Sequence, residues 1–444
     1  MNGGLFATSV VVLLLVSTGV GALSSTASSK KPVTIKLAHL YDEVSNPITY
    51  AWIQEMIKGF EKEHPDIKVK QEIFRYDRID SRAMMDLRTG TRHDVMFSTP
   101  QLMPKHRLVG DYISLKPYID KWSEEERADF SWSPVWNKSY PLGIPTGMHT
   151  RMVAYNRDMF KEVGLDPDRP PQNLTELVDY AKKLTRDTDG DGKIDVWGLG
   201  MYFGSERATV ELYFAPLLWN YGGQLWDPET KKAAFASEAG VKGVQFLYDL
   251  VYKYRVTPEW AASGTYGDLE RRFLDGKYAM AMGWGSYWIR DLEDKGLISG
   301  CFPPTAECKA PKAGVFLYPT KNNEIFVNTW SLSIHKLSKH PDESFEFIEY
   351  VLEPDNLLTF PDAGLPARAS LWKRPEYNTD FYKTWHEAAK HGRPMPSTAR
   401  YPELGDTVAA AIQEILAQKA PIQATLQRYQ EEYNAEEYNA AYGR

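Results

Sequence analysis

The first hundred residues switch between two spacings of apolar side chains. Residues 33–40 (VTIKLAHL) and 67–74 (IKVKQEIF) are β-rich alternating runs, and 94–98 (DVMFS) is a third, so each predicts a strand. Between them, residues 51–63 carry Trp52, Met56, Ile57 and Phe60 at helical spacing, and 80–89 predicts a second helix. Strand–helix–strand–helix–strand order belongs to an open α/β sheet with crossover helices. Ligands of such sheets collect at the carboxyl ends of strands. Those ends fall here at Tyr41-Asp42-Glu43, Arg75-Tyr76 and Thr99-Pro100-Gln101. Further along, 175–184, 239–254, 345–352 and 407–418 predict helices, with strands at 195–199, 279–282, 315–318 and 330–334. No internal repeat is visible; biased composition is confined to a serine tether and the polar tail 427–439.

At 444 residues the chain has room for two or three domains. Its 43% hydrophobic and 25% charged residues are ordinary for a soluble globular protein. Lys+Arg 52 against Asp+Glu 59 leaves a net charge of −7, and no basic run exceeds two residues, which argues against a nucleic-acid partner. Aromatic residues make up 13% of the chain, enough for a large core or for a flat, partly apolar ligand.

The uncharged stretch from Leu5 to Val20, followed by Gly21-Ala22, predicts export, as a secretory signal (1–22) or an uncleaved membrane anchor. Residues 23–30, rich in serine, predict a tether. In an exported chain the only cysteines, Cys301 and Cys308, predict a local disulfide across a Pro-rich loop; no further Cys or His nearby would complete a zinc site. The segment from Asp187 to Asp195 (DTDGDGKID) matches the first nine positions of a calcium loop. Asp187, Asp189, Asp191 and Asp195 offer side-chain oxygens, Lys193 a carbonyl, and Gly192 the tight turn. Gly198 stands where a bidentate Glu would complete an EF-hand, so a structural Ca2+ site needs a further ligand from elsewhere or from water. The alternative is an acidic turn. No nucleophile elbow, phosphate loop or HExxH helix occurs.

Five segments, in order, carry a family resemblance: 60–69 (FEKEHPDIKV); 140–145 (YPLGIP) with 154–165 (AYNRDMFKEVGL); 220–225 (NYGGQL); 273–282 leading into 283–288; and 364–368 (GLPAR). From about Val33 to its end the chain resembles the extracellular solute-binding proteins of carbohydrate ABC importers, the family that includes maltose-binding protein. That resemblance implies a non-enzymatic receptor with two α/β lobes, joined by crossing strands and closing over a cleft. The expected lobes are 31–144 with 289–327, and 145–288 with 328–444, crossing near 143–149, 287–296 and 326–330. The disulfide loop would lie on the first lobe and the calcium loop on the second. The implied partners are a sugar and a transmembrane permease. The implied state is a monomer at the cell surface or in the periplasm. A pyranose needs a flat ring for its C–H face and polar groups for its hydroxyl rim. Strand ends and matched positions nominate Tyr41, Asp42, Glu43, Thr99, Gln101, His149, Tyr202, Trp284, Ser286, Trp330 and Arg368. A charged solute, such as a glycerol-phosphate ester or polyamine, stays open because of Arg75, Arg151, Arg207 and Arg368. A glycan-acting enzyme would need two cleft carboxylates ~5–10 Å apart.

Overall fold

The computed structural model describes residues 32–44, 46–75, 78–130, 137, 139–204, 206–361 and 364–436. The expected signal segment and tether lie outside them. The strands are β1 (Val33–His39), β2 (Ile67–Ile73), β3 (Val95–Ser98), β4 (Gly143–Pro145), β5 (His149–Asn156), β6 (Trp197–Gly200), β7 (Trp226–Asp227), β8 (Lys232–Ala233), β9 (Tyr278–Gly285), β10 (Ala313–Phe316), β11 (Ile325–Asn328), β12 (Ser331–Ile334) and β13 (Gly392–Arg393).

Two sheets organise two lobes. The first has the order β2-β1-β3-β12-β4 and the second β13-β11-β5-β9-β6, with β10 also on β5; β7 and β8 form a separate hairpin. In the first lobe β1 runs parallel to β2 and β3. Parallel neighbours need crossovers, and the helices Pro47–Glu63 and Ile79–Thr89 provide them. The first buries Trp52, Ile53, Met56 and Phe60 against the sheet, and Gly90 in the left-handed region ends the second. The second lobe is built on β5, which pairs antiparallel with β9, β10 and β11. Its helices carry side-chain caps: Asn173 before Leu174–Leu184, Ser237 before Glu238–Tyr252, and a Thr265–Asp268 capping box before Tyr266–Leu274.

The chain crosses between sheets where β4 gives way to β5 and where β11 gives way to β12. The crossing expected at 287–296 does not occur. Residues 289–327 contain β10 and β11, whose partner is β5, so they belong to the second lobe rather than the first. Conversely β12, from the segment assigned to the second lobe, pairs with β3 and β4. The Pro341–Val351 helix after it packs on the first lobe. The physical reason is ladder continuity: Ala313–Phe316 opposes Asn156–Val153 residue for residue, and that edge exists only in the second sheet. A third passage bridges Met148 to Leu365 before the chain re-enters the second lobe.

Cys301 and Cys308 are disulfide-bonded, as expected from the sequence. Their loop sits on the second lobe and not the first: the Tyr382 hydroxyl donates to the Cys301 carbonyl, and the Asp380–Lys390 helix that carries Tyr382 packs on β5 and β10. Glu293 accepts the N–H groups of Gly300, Cys301 and Phe302 and closes the loop's base.

Candidate functional site: the inter-lobe cleft

A cavity of about 550 Å3 lies between the lobes. The first lobe contributes Tyr41, Asn46 and Thr49 from the β1 end, with Thr99 from the β3 end. His149, Arg151, Asn328 and Trp330 from the crossing strands form the floor. The facing wall comes from Glu206, Glu211, Tyr266, Glu270 and the Tyr287–Asp291 turn.

Several wall residues are held from behind. Tyr41 N–H donates to His39 Nδ1 (3.2 Å), while His39 Nε2 faces the Gln71 amide oxygen (3.0 Å). Burial drives His39 down to about 4, which keeps the ring neutral and Nδ1 free to accept. On the second lobe, Tyr266 stacks on Trp288 (4.2 Å, 22°), and Trp288 leans on Trp284 (4.6 Å). The Arg151 guanidinium lies 4.9 Å above the Tyr287 ring, and His149 meets that ring edge-on at 5.3 Å. A π-helical turn, Val210–Phe214, points both Glu211 and Leu212 at the cleft.

The charges are unevenly divided: Glu206, Glu211, Glu270 and Asp291 face Arg151 and Arg290. Burial, then the adjacent Asp291 charge, pushes Glu270 up to about 7, and Glu270 shares a hydrogen bond with Asp291. Burial raises Asp291 as well, partly offset by Arg290 at 3.3 Å. Burial also raises Glu211, against the pull of the Tyr401 hydroxyl. The wall thus offers, at Glu270, a carboxyl group able to donate as well as accept.

Of the nominated residues, Tyr41, Thr99, His149 and Trp330 line the cleft. The others do not. Asp42 turns the β1 loop by accepting the Val44 N–H, and Glu43 is exposed beside it. Gln101 lines a different groove, behind the crossing strands. Tyr202 and Trp284 are core: Tyr202 packs on Tyr213 and Tyr266, and Trp284 is fully buried in β9. Ser286 is buried at the hinge, accepting the Thr150 N–H. Arg368 binds the Leu352 carbonyl (2.7 Å), Asp129 (3.2 Å) and Glu126 (3.3 Å), which holds the third passage to the first lobe. Of the other arginines that keep a charged solute open, Arg151 alone is in the cleft; Arg75 is exposed and Arg207 pairs with Asp406.

Tyr266, Tyr287, Trp288, Glu270 and Asp291 were not nominated. The signal for Tyr287 and Trp288 was the strand-end rule applied at the true end of β9, Gly285, rather than at the glycine before Trp284.

Outside the cleft, Asp187, Asp189 and Asp195 bring carboxylate oxygens within 4.8 Å of one another. Asp191 turns instead to the Lys193 ammonium at 3.0 Å. Asp187 accepts three loop N–H groups, from Asp189, Gly190 and Gly192, and those of Gly192 and Gly190 do most to hold its carboxyl below the ordinary range.

The sequence profile described as bacterial extracellular solute-binding protein matches residues 45–357. The chain belongs to that family. As members of this family bind solutes, this protein is a receptor and not an enzyme. A binding protein of Brucella abortus (strain 2308) is 22% identical over 421 residues, 93% of this chain and 95% of that one. The fold is shared with a Thermotoga lettingae ABC transporter solute-binding protein bound to α-D-tagatose (TM-score 0.75, 24% identity, 91% and 99% of the chains covered). It is also shared with maltose-bound MalE3 of T. maritima (0.73, 20%, 90% and 99%) and with a ribitol-bound solute-binding protein of Agrobacterium radiobacter K84 (0.71, 21%, 91% and 98%).

Two outcomes follow for this solute-binding protein. Arg368→Ala removes a buried guanidinium from the part-buried Asp129 and the more exposed Glu126 and leaves the Leu352 carbonyl without its donor, so chemical denaturation should show a loss of about 1–3 kcal/mol, with ligand affinity unchanged. A loss of affinity at unchanged stability would return Arg368 to the site. Glu270 is raised in the fold from 4.5 to about 7, so the folded state holds the extra proton and stability falls as pH rises through that window. Glu270→Gln should therefore stabilise the protein at pH 8, on the order of 1 kcal/mol after solvent screening, and have no effect at pH 4, read by thermal melts.

Proposed function

We propose that this protein captures a neutral sugar or polyol between its lobes and hands it to the permease of an ABC importer. The carrying observation is the make-up of the cleft: Tyr41, Tyr266, Tyr287, Trp288 and Trp330 offer ring faces or edges, while hydroxyl, amide and carboxyl groups stand between them. Rings cover the apolar C–H face of a pyranose and the polar groups take up its hydroxyls. A wrong epimer strands a buried polar group at a cost of about 1–3 kcal/mol, enough to set selectivity. The cavity of about 550 Å3 lies inside the ~300–1,000 Å3 range of small-molecule sites. Ligand contact with both walls favours the closed arrangement, and closure is the form a permease would read. The apolar stretch 5–20 supplies the export signal or anchor that such a receptor needs. The sugar, maltose and polyol ligands named for the three structural relatives agree with this reading.

A second reading, a phosphorylated polyol, has one observation in its favour. Over 43 residues the chain is 46% identical to the sn-glycerol-3-phosphate-binding periplasmic protein of Escherichia coli K12, 10% of each chain. Against it, carboxyl groups outnumber guanidinium groups in the cleft, the wrong balance for a phosphate.

We also propose that the Asp187–Asp195 loop takes up Ca2+ as a structural ion, with Asp187, Asp189 and Asp195 as side-chain ligands.

A thermal-shift screen tests the function. Maltose, D-tagatose, ribitol or a related saccharide should raise the melting temperature, by about 2.7 kcal/mol of added stability at 100 times Kd. A shift by sn-glycerol 3-phosphate with none by any saccharide would replace the first reading with the second. For the loop, EDTA should lower the melting temperature of protein prepared with calcium, and re-added Ca2+ should restore it. A melt indifferent to both removes the ion.

A further inference from the structure

Thr99 directly follows β3 and shows its small exposed fraction to the cleft. Its N–H and its hydroxyl both donate to one carboxylate, Asp80, at 3.4 and 3.2 Å. A hydroxyl has a single proton. With that proton committed to Asp80, Thr99 presents only lone pairs to a ligand.

Asp80 is itself held from behind. It lies in the first turn of the Ile79–Thr89 helix, where unpaired amides favour negative charge. His106 Nε2 lies 3.2 Å from its Oδ1, and His106 Nδ1 lies 2.9 Å from Asp111 Oδ2. Both ring nitrogens of this fully buried histidine face carboxylates, so both must carry protons to donate. Burial opposes that charge, but the hydrogen bonds and charges of Asp111 and Asp80 outweigh it and hold His106 at about 9. Among the described residues Tyr112 also lies against the ring, 4.5 Å away; burial, then the Asp80, Asp111 and Asp86 charges, keeps its phenol protonated. The chain Asp111–His106–Asp80 therefore carries one net negative charge directly behind Thr99.

We propose that Asp80, fixed by His106 and Asp111, is a positioning residue that makes Thr99 an acceptor only, so that the first-lobe wall takes a ligand hydroxyl and turns away phosphate and carboxylate groups. This rests on the reading of the cleft as the ligand site. It deepens that reading by naming what rejects an anion there. The cleft's surplus of carboxyl groups biases the whole cavity the same way, but only Thr99 is tied by hydrogen bonds into a buried charged chain among the residues named above.

Asp80→Asn tests it. The carbonyl of the substituted side chain still accepts from His106, and its amide group then donates to Thr99, which frees the Thr99 proton to point into the cleft. Isothermal titration with sn-glycerol 3-phosphate should show at least a tenfold gain over the wild-type protein. Titration with maltose, D-tagatose and ribitol should show at least a tenfold loss for whichever binds. Thr99→Ser should keep the wild-type preference, and Thr99→Val should lose affinity for the neutral probe without gaining the phosphate ester. A folded Asp80→Asn protein with no gain for glycerol 3-phosphate overturns the inference, whatever the neutral probes do. If no neutral probe binds the wild type but the gain appears, the inference stands and the sugar reading falls. A measurement without ligand guards against a misfolded variant: 15N NMR of wild-type His106 at pH 7 should show both ring nitrogens protonated, and a single protonated nitrogen overturns the proposal.

Discussion

Two stretches of chain cross between the lobes side by side and are bonded to each other where they cross. The Thr146 N–H and hydroxyl both donate to the Trp330 carbonyl, at 2.9 and 3.1 Å, and the Thr329 hydroxyl donates to the Gly147 carbonyl. On one side of this knot Ser331 pairs with Pro145 in the first sheet; on the other, Asn328 pairs with His149 in the second. Side chains two apart on a strand share a face. The register that fixes the hinge therefore also sends His149 with Arg151 to the floor of the cleft, where Asn328 at the end of β11 and Trp330 in the link to β12 join them. Gly364 completes the packing: a Cβ there would come within 2.5 Å of the Ser286 hydroxyl and 2.9 Å of the His149 ring, and its φ of +65° already favours glycine. Two lobes that pivot about so few residues can move as bodies while each wall keeps its shape.

The walls are stiffened by groups that never meet the ligand. Trp284 and Tyr202 lie behind Trp288 and Tyr266, and the capping box at Thr265 anchors the helix that carries Tyr266 and Glu270. In the first lobe two histidines serve in opposite charge states. His39, buried without a carboxylate, is neutral and accepts from Tyr41; His106, buried between two, is charged and holds Asp80. The same side chain does two jobs because desolvation wins at one position and paired carboxylates win at the other.

Most of the architecture could be read from periodicity, because strands such as β2 and helices such as Leu174–Leu184 bury one face more than the other. The lobe boundaries could not. Whether 313–316 joins the first or second sheet depends on long-range pairing with β5, which leaves no local mark in AGVF. The site divided in the same way. Tyr41 and Thr99 are legible as cleft-lining residues because they follow strand ends, and His149 and Trp330 because they lie in matched hinge segments. Trp284 was misplaced because its flanking glycines resemble a loop, whereas β9 runs on through Gly285 and delivers Tyr287 and Trp288 instead. Arg368 has the residue type of a ligand contact, and only its three partners, Leu352, Asp129 and Glu126, reveal a structural tie.

A crystal structure with the neutral ligand that most stabilises the protein tests the central claim most directly. The account predicts a saccharide or polyol between the lobes, its carbon face against Tyr266, Tyr287 or Trp288 and a hydroxyl donating to Thr99. A ligand bound outside this cleft, or one held by Arg151 and Arg290 with every aromatic ring bare, would contradict it.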